Sequence, residues 1–216
     1  MDVQPRSQGQ VPVLEAERQA DAPATSLGSA LRALPRQYFD VLVNPTTTQF
    51  LNEKRRATWG LVVAQLIIAG LLIIIVSLLV SLLQLGVTGQ GSGVSVGIVL
   101  AGAVVQFIFA VVIFLVQSAL QFLLARLLGG NGTFAQQCYL SLLITVPLGV
   151  VMILTWSAPG LNLLFIIYIL ALNVIATRAV HTLSGGRAAL TMLGSGVIAG
   201  ALAIGVVLLG LLALIR

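Results

Sequence analysis

Residues 61–85 read LVVAQLIIAGLLIIIVSLLVSLLQL, a stretch that contains no charged residue. The hydrocarbon core of a bilayer is about 30 Å thick, and roughly 20 helical residues are needed to cross it. Because that core offers no water to backbone N–H and C=O groups, an apolar segment that crosses it must be helical. This stretch therefore predicts a transmembrane α-helix.

Similar apolar runs recur along the rest of the chain, and together they decide the fold class. The predicted spans are 61–85, 98–124, 136–156, 161–177 and 188–215. We therefore expect an all-α, polytopic integral membrane protein, with about five transmembrane helices in one bundle over residues 59–216. The run 161–177 is the shortest, so four spans is the alternative count.

The composition of the chain agrees with a membrane protein. Of its 216 residues, 58% are hydrophobic and 8% charged, whereas soluble domains carry about 25% charged residues. All acidic residues lie at or before Glu53, so the net charge of +5 reflects a basic membrane region. The basic residues flank apolar runs, which indicates orientation in a membrane and makes nucleic acid an unexpected partner.

Two segments precede the first span. Residues 1–30 are polar and interrupted by prolines, which predicts a disordered cytoplasmic tail. Residues 31–58 alternate apolar and charged residues, which predicts an amphipathic juxtamembrane segment of one or two short helices, with a partly ordered linker as the alternative. Thr46 and its neighbours offer a helix cap before Gln49. The first residues do not resemble a signal peptide, so the first span is expected to direct insertion.

The basic residues predict the orientation of the bundle. If the spans alternate, one side carries Lys54, Arg55, Arg56, Arg126, Arg178 and Arg187, and the other carries only Arg216. Positive charge favours the cytoplasmic side, so we expect a cell-membrane protein with a cytoplasmic amino terminus and an external carboxyl terminus. Together with His181, expected as a surface or interfacial histidine, these six residues form a candidate cytoplasmic interaction face for anionic lipid headgroups or a protein partner.

The sequence offers little material for catalysis. Acid–base chemistry and metal binding draw mainly on carboxylates, histidine and cysteine. From Lys54 onward there is one histidine, one cysteine and no carboxylate, and the earlier carboxylates are spread through sequence not expected to assemble a site. We therefore predict no catalytic residue, metal or cofactor, and we expect Cys138 to be a buried packing residue. The missing intramembrane carboxylate also argues against an ion-coupled pump.

Two further patterns lie within the predicted spans. Gln106, Gln117, Gln121 and Asn173 are candidate intramembrane polar contacts, which would either bond neighbouring helices or line a polar path. Gly196 and Gly200 form a small-xxx-small pair, a candidate for close helix packing either within the chain or between copies. A homo-oligomer is thus an open alternative.

Several short motifs resemble the Yip family, the Ypt-interacting proteins, over roughly residues 38–215. The first is NPTTTQF at 44–50, ahead of the first span. The second is GGNGTF at 129–134, a glycine-rich turn in which Thr133 is expected to cap the next helix. Tyr139, Pro147 and the run AVHTLSGGRA at 179–188 follow. In this order and spacing they are similar to a bacterial-type member.

This resemblance implies five spans with a cytoplasmic amino terminus, and no catalytic residues. Eukaryotic members act in vesicle traffic and bind small GTPases through the cytoplasmic region. The acidic, aromatic segment associated with that role has no counterpart here. The leading hypothesis is therefore a non-enzymatic scaffold or membrane-organising protein. The alternative, motivated by the intramembrane amides, is a channel or transporter component for a small neutral or anionic solute.

Overall fold

A computed structural model of the protein describes residues 27–88, 96–155 and 158–215, and in these ranges the chain forms seven α-helices and no strand. The helices are α1 Leu27–Val43, α2 Thr47–Lys54, α3 Trp59–Thr88, α4 Val96–Leu127, α5 Phe134–Leu154, α6 Pro159–His181 and α7 Gly185–Ile215. The predicted all-α class is confirmed.

The long helices have the length and composition of membrane spans. α3, α4, α5 and α6 are each long and apolar enough to cross a membrane, and α7 has 31 residues of similarly apolar sequence. The run 161–177 lies within α6, whose 23 residues exceed the roughly 20 that a bilayer requires. α6 is longer than predicted because Pro159 fits the first helical turn and because the helix continues to His181.

The segment before the first span folds into two helices. Residues 1–26 of the predicted tail lie outside the described ranges, and α1 begins four residues before the predicted boundary at 31. α1 packs against α3 and α5, and α2 packs against α5 and α6. α2 begins where the threonines predicted it, because the Thr46 hydroxyl accepts a hydrogen bond from the Gln49 N–H at 3.2 Å.

α5 is the central helix of the bundle. It packs against α1, α2, α3, α4 and α6, and 56% of its spanning window is buried, compared with 6% for α4. Cys138 on α5 is fully buried and forms no disulfide, in agreement with its predicted packing role. α5 begins at the predicted Thr133 cap, where Thr133 and Gln136 bond each other's backbone N–H groups.

Successive long helices run in opposite directions, so alternate ends meet. The Phe134 ring at the start of α5 lies 5.8 Å from Trp59 at the start of α3 and 5.7 Å from Phe122 near the end of α4. Phe122 in turn lies 5.8 Å from His181 at the end of α6, and Arg187 in α7 donates to a carbonyl just after α4. We call this region, with α2 beside it, the basic end of the bundle.

Candidate functional site at the basic end of the bundle

The basic end carries most of the predicted interaction residues. Arg55, Arg56, Arg126, Arg178 and Arg187 come from four different segments, and all five side chains are exposed. The guanidinium of Arg126 lies over the Phe122 ring at 5.3 Å, a cation–π geometry. Folding therefore gathers the predicted arginines at one end of the bundle.

Lys54 also lies at the basic end, but its ammonium is hydrogen-bonded to the carboxyl end of α6. Its ammonium donates hydrogen bonds to the backbone carbonyls of Val180 and Ala179, the latter at 3.4 Å. The last carbonyls of a helix lack partners within it and carry partial negative charge, so a cation is favourable there. Burial lowers the pKa of Lys54. Lys54 therefore caps α6, and its ammonium is not a free charge of the exposed face.

His181 was predicted to be a surface or interfacial histidine, but its side chain is fully buried. Its Nδ1 accepts a hydrogen bond from the Gly132 N–H at 3.3 Å, and its ring packs beside Phe122. A ring that accepts at Nδ1 carries its proton on Nε2 and is neutral. His181 therefore joins the glycine-rich turn to α6 and does not belong to an exposed interaction face.

The glycine-rich turn is shaped to hold the end of α6. Gly129 has φ +90°, and the Gly130 N–H bonds the Ala125 carbonyl at 2.8 Å, which closes α4 in a Schellman motif. A Cβ at Gly130 would lie 2.7 Å from the Cβ of His181, and one at Gly132 would lie 2.6 Å from the Val180 carbonyl oxygen. The turn therefore requires glycine in order to approach the α6 backbone.

A second set of bonds completes this contact. The Asn131 N–H donates to the His181 carbonyl at 3.3 Å, and the Thr182 hydroxyl donates to the Asn131 side-chain oxygen at 3.0 Å. Thr182 itself adopts the left-handed conformation, with φ 55°. Together, Lys54 and the Asn131 N–H satisfy the carbonyls of Ala179, Val180 and His181 at the end of α6.

A buried carboxylate lies beside the arginines, and sequence reasoning missed it. Glu53 is only 3% exposed. Its carboxylate accepts from Arg56 at 3.2 Å and from the Tyr139 hydroxyl at 3.4 Å, and that hydroxyl also lies 3.2 Å from the Gln37 amide oxygen. Burial raises the pKa of Glu53, while Arg56 and the bond from Tyr139 oppose that rise.

Glu53 therefore lies in structured sequence, contrary to the expectation for the early carboxylates, and it belongs to a hydrogen-bonded network. A signal was present in the sequence, because Glu53 follows Phe50 by three residues on a short amphipathic helix and so shares its face. Both residues are buried. Tyr139 lies 86 residues from Glu53 in the sequence, and Gln37 lies 102 residues from Tyr139. No local sequence pattern specifies such distant contacts.

A chain of hydrogen bonds joins the middle helices close to this end. Gln137 donates to the Gln121 amide oxygen at 2.8 Å and lies 3.3 Å from the Ser141 hydroxyl. Ser141 donates to the Asn173 amide oxygen at 3.4 Å. The chain links α4, α5 and α6, and Gln137 and Ser141 are two members that sequence reasoning missed.

The other two predicted polar contacts lie apart from this chain. Gln117 donates to the Ser195 hydroxyl at 3.1 Å and so joins α4 to α7, whereas Gln106 is exposed on α4. Gln117 also borders a cavity of about 500 Å³ between α3, α4 and α5, whose other lining residues are apolar apart from Thr145. The predicted amides are thus not aligned along one polar cavity.

The predicted packing glycines are also placed differently. Gly196 and Gly200 face open space in the described part of the chain, since a Cβ at either would have no described neighbour within 4 Å. Close packing at these glycines is therefore not seen within the described residues, and contact between copies stays a prediction. The close approach occurs at Gly70 on α3, where a Cβ would lie 2.7 Å from the Phe107 ring of α4.

Two of the five arginines, Arg55 and Arg56, border a cavity of about 490 Å³ between α1 and the start of α3. Its wall combines the side chains of Arg55 and Arg56 with Gln37 and with apolar residues of both helices. Among the described residues, no three or more His, Cys, Asp or Glu side chains cluster to hold a metal ion. Guanidinium N–H groups donate readily to carboxylates and phosphates, so the basic end is suited to bind anions.

Comparison with known proteins identifies the family. The Yip1 domain model matches residues 39–213. No curated protein and no solved structure matches the chain. The matched region contains α2–α6, all but the last two residues of α7, the glycine-rich turn, and Glu53 with its partners Arg56 and Tyr139. Since the match covers most of the chain, this membrane protein belongs to the Yip1 domain family.

Proposed function

We propose that this protein is a non-enzymatic membrane scaffold whose basic end meets anionic lipid headgroups and presents them, or itself, to a partner protein. The observation that carries the proposal is the gathering of five exposed arginines at one end of the bundle. Each basic residue near an anionic bilayer surface contributes about 1 kcal/mol to the attraction. The family supports a multi-pass membrane role.

The basic end is the cytoplasmic end in this proposal, and the membrane is the cell membrane. Positive residues flanking spans favour the cytoplasmic side. In that orientation α1 and α2 lie on the cytoplasmic side with the starts of α3, α5 and α7, and α7 leads to an external carboxyl terminus.

Transport is the weaker hypothesis because of the bonding of the amides. Gln117, Gln121 and Asn173 each bond a side chain of a neighbouring helix. Polar residues used in this way contribute to helix association, each for about 1 kcal/mol. Their arrangement supports a scaffold role more than a path for solute.

Cysteine labelling tests the proposed orientation. S184C lies between α6 and α7 at the basic end, and G160C lies at the opposite end in the first turn of α6. A membrane-impermeant maleimide added to intact cells should label G160C, and S184C only after permeabilisation. Native Cys138 is fully buried and serves as the unlabelled background. The reverse labelling pattern would overturn the proposed sidedness.

Lipid analysis tests the proposed role of the face. The full chain should be extracted with its surrounding lipid in membrane patches, and the bound lipid quantified against the bulk membrane. We expect anionic lipid to be enriched around the wild type and less enriched around R126Q/R178Q/R187Q. Equal lipid composition in patch and bulk for the wild type would overturn the lipid-binding role.

A further inference from the structure

The cavity between α1 and α3 has a chemically mixed lining. Apolar side chains share its lining with two guanidinium groups, an amide and the hydroxyl residues Ser29 and Thr58. The residues that define it are Leu27, Ala33, Leu61, Gln37, Arg55 and Arg56. At about 490 Å³ it is large enough for a small polar group with an attached apolar segment.

Arg56 is held in place by the buried carboxylate. Its Nη1 bonds Glu53 at 3.2 Å, and Glu53 is fixed in turn by Tyr139 at 3.4 Å. A guanidinium has five N–H donors in a rigid plane, so a bond through one nitrogen leaves others to face the cavity. Glu53 is therefore a positioning residue for Arg56, which explains a carboxylate buried at an otherwise basic end.

Glu53 can neutralise only one of the two arginines, so Arg55 contributes an uncompensated positive charge. It follows α2 directly, its side chain is exposed, and it lines the same cavity as Arg56. Two guanidinium groups next to one carboxylate leave the cavity mouth positive. The start of α3 lies beside them, with Thr58 capping the Leu61 N–H at 3.3 Å, and helix N-termini favour anions.

The cavity also borders the start of the first span. Trp59 stands between Thr58 and Leu61, which both line the cavity, and is 53% exposed at the start of the first span. Exposed tryptophan at the end of a span is typical of the bilayer interface. A phosphate at the arginines would thus lie beside the start of the first span, where headgroups are expected, and the apolar lining residues would be available to the rest of the lipid.

We propose that this cavity is a binding site for the phosphate headgroup of an anionic phospholipid. The phosphate accepts hydrogen bonds from Arg55 and Arg56, and the apolar lining residues discriminate a lipid from a soluble phosphate. This site deepens the proposed function, on which it rests, by assigning headgroup recognition to two of the five arginines.

The tryptophans of the chain allow a local test, since there are only two. In a W156F background the remaining tryptophan is Trp59, which follows the cavity residue Thr58 in sequence and packs against Phe134, and phospholipids with brominated acyl chains quench it on contact. The full chain should be reconstituted with brominated phosphatidylglycerol or brominated phosphatidylcholine diluted in unbrominated lipid. We expect phosphatidylglycerol to bind about tenfold more tightly at this site. Both lipids offer a phosphate to the two guanidinium groups, but phosphatidylcholine adds a quaternary ammonium that those groups repel.

Matched variants separate the cavity from the general charge of the basic end. R55Q/R56Q should abolish the preference for phosphatidylglycerol at Trp59, whereas R126Q/R178Q removes the same charge elsewhere and should retain it. R55Q alone should lower the preference without disturbing Glu53, and it guards against misfolding of the double variant. Competition with glycerol phosphate should have no effect.

Each other result has a distinct meaning. Equal losses in both double variants would overturn the cavity and leave the general basic face intact. Displacement by glycerol phosphate would show that soluble phosphate is the ligand and would overturn the lipid assignment. Absence of any preference at Trp59, with enrichment of anionic lipid still seen in membrane patches, would reject the cavity alone. Absence of both would reject the proposed function as well.

Discussion

The basic end and the outer hairpin, which we define as α3 and α4, are stabilised by different means. The spanning windows of α3 and α4 are only 11% and 6% buried within the protein, so their large apolar side chains face lipid. At the basic end, in contrast, Lys54 bonds Val180 and Tyr139 bonds Gln37 across 126 and 102 residues of sequence. The hairpin requires apolar composition, whereas the basic end requires particular partners.

The prediction with the largest expected effect replaces Gly132 in the glycine-rich turn of the basic end. G132A places a Cβ 2.6 Å from the Val180 carbonyl oxygen and 2.4 Å from a Val180 methyl group. Since backbone cannot yield as a flexible side chain can, we expect a loss of about 3 kcal/mol or more in unfolding free energy. The measurement is thermal unfolding of the detergent-purified variant, together with its yield from membranes.

G149A is the matched control, because Gly149 lies on α5 where a Cβ would meet no described atom within 4 Å. Alanine is the better helix former by about 1 kcal/mol, so this variant should equal or exceed the wild type in stability. Equal stability of G132A and G149A would show that the turn does not depend on close contact with α6.

A second test removes one hydroxyl from the buried network of the basic end. Y139F deletes the donor shared by Glu53 and Gln37 and leaves both buried acceptors without it. We expect a loss of about 2 kcal/mol in unfolding free energy, since buried groups left unpaired lose their hydrogen bond without regaining water. Thermal unfolding of matched preparations measures it.

Y38F provides the comparison for this test. The Tyr38 hydroxyl is buried and has no hydrogen-bond partner among the described residues, and burial raises the pKa of Tyr38 to about 12, so it is neutral at ordinary pH. Removing the Tyr38 hydroxyl should therefore leave the unfolding free energy unchanged or raise it slightly. If Y38F costs as much as Y139F, the loss comes from removing a buried hydroxyl as such, and the hydrogen bonds of Tyr139 do not account for it.

The same contrast explains what could be predicted from the sequence. The spans follow from residue type alone, and the caps at Thr46 and Thr133 follow from residues three positions away, so both were predicted. His181 and Glu53 were misjudged because their burial depends on the glycine-rich turn and on α5, which no local pattern reveals. Gly196 and Gly200 show the limit of motif spacing, since two small residues do not determine which face of a helix meets a neighbour.

A third test compares two amides of the bundle. Q137L removes the donor to Gln121 and Ser141 and should cost about 1 kcal/mol, the usual contribution of such bonds between membrane helices. Q106L acts on an exposed amide of the outer hairpin and should be neutral or stabilising in detergent or bilayer. A larger loss in Q106L than in Q137L would indicate that α4 has a partner outside this chain.

The smallest expected effect is a pH dependence that belongs to Glu53. Burial raises the pKa of Glu53 above the ordinary value of 4.5, partly opposed by Arg56 and Tyr139. The folded protein therefore keeps the proton to higher pH than the unfolded chain, and the associated stability is present below pH 4.5 and lost as pH rises through the folded-state pKa. Glutamine does not titrate, so the unfolding free energy of wild type minus that of E53Q should fall as pH rises from 4.5 toward neutrality. Parallel thermal unfolding series in one detergent measure this difference. A difference that grows with pH would mean that Arg56 and Tyr139 stabilise the carboxylate by more than burial destabilises it, and the basic end would then hold an ion pair stronger than its burial predicts.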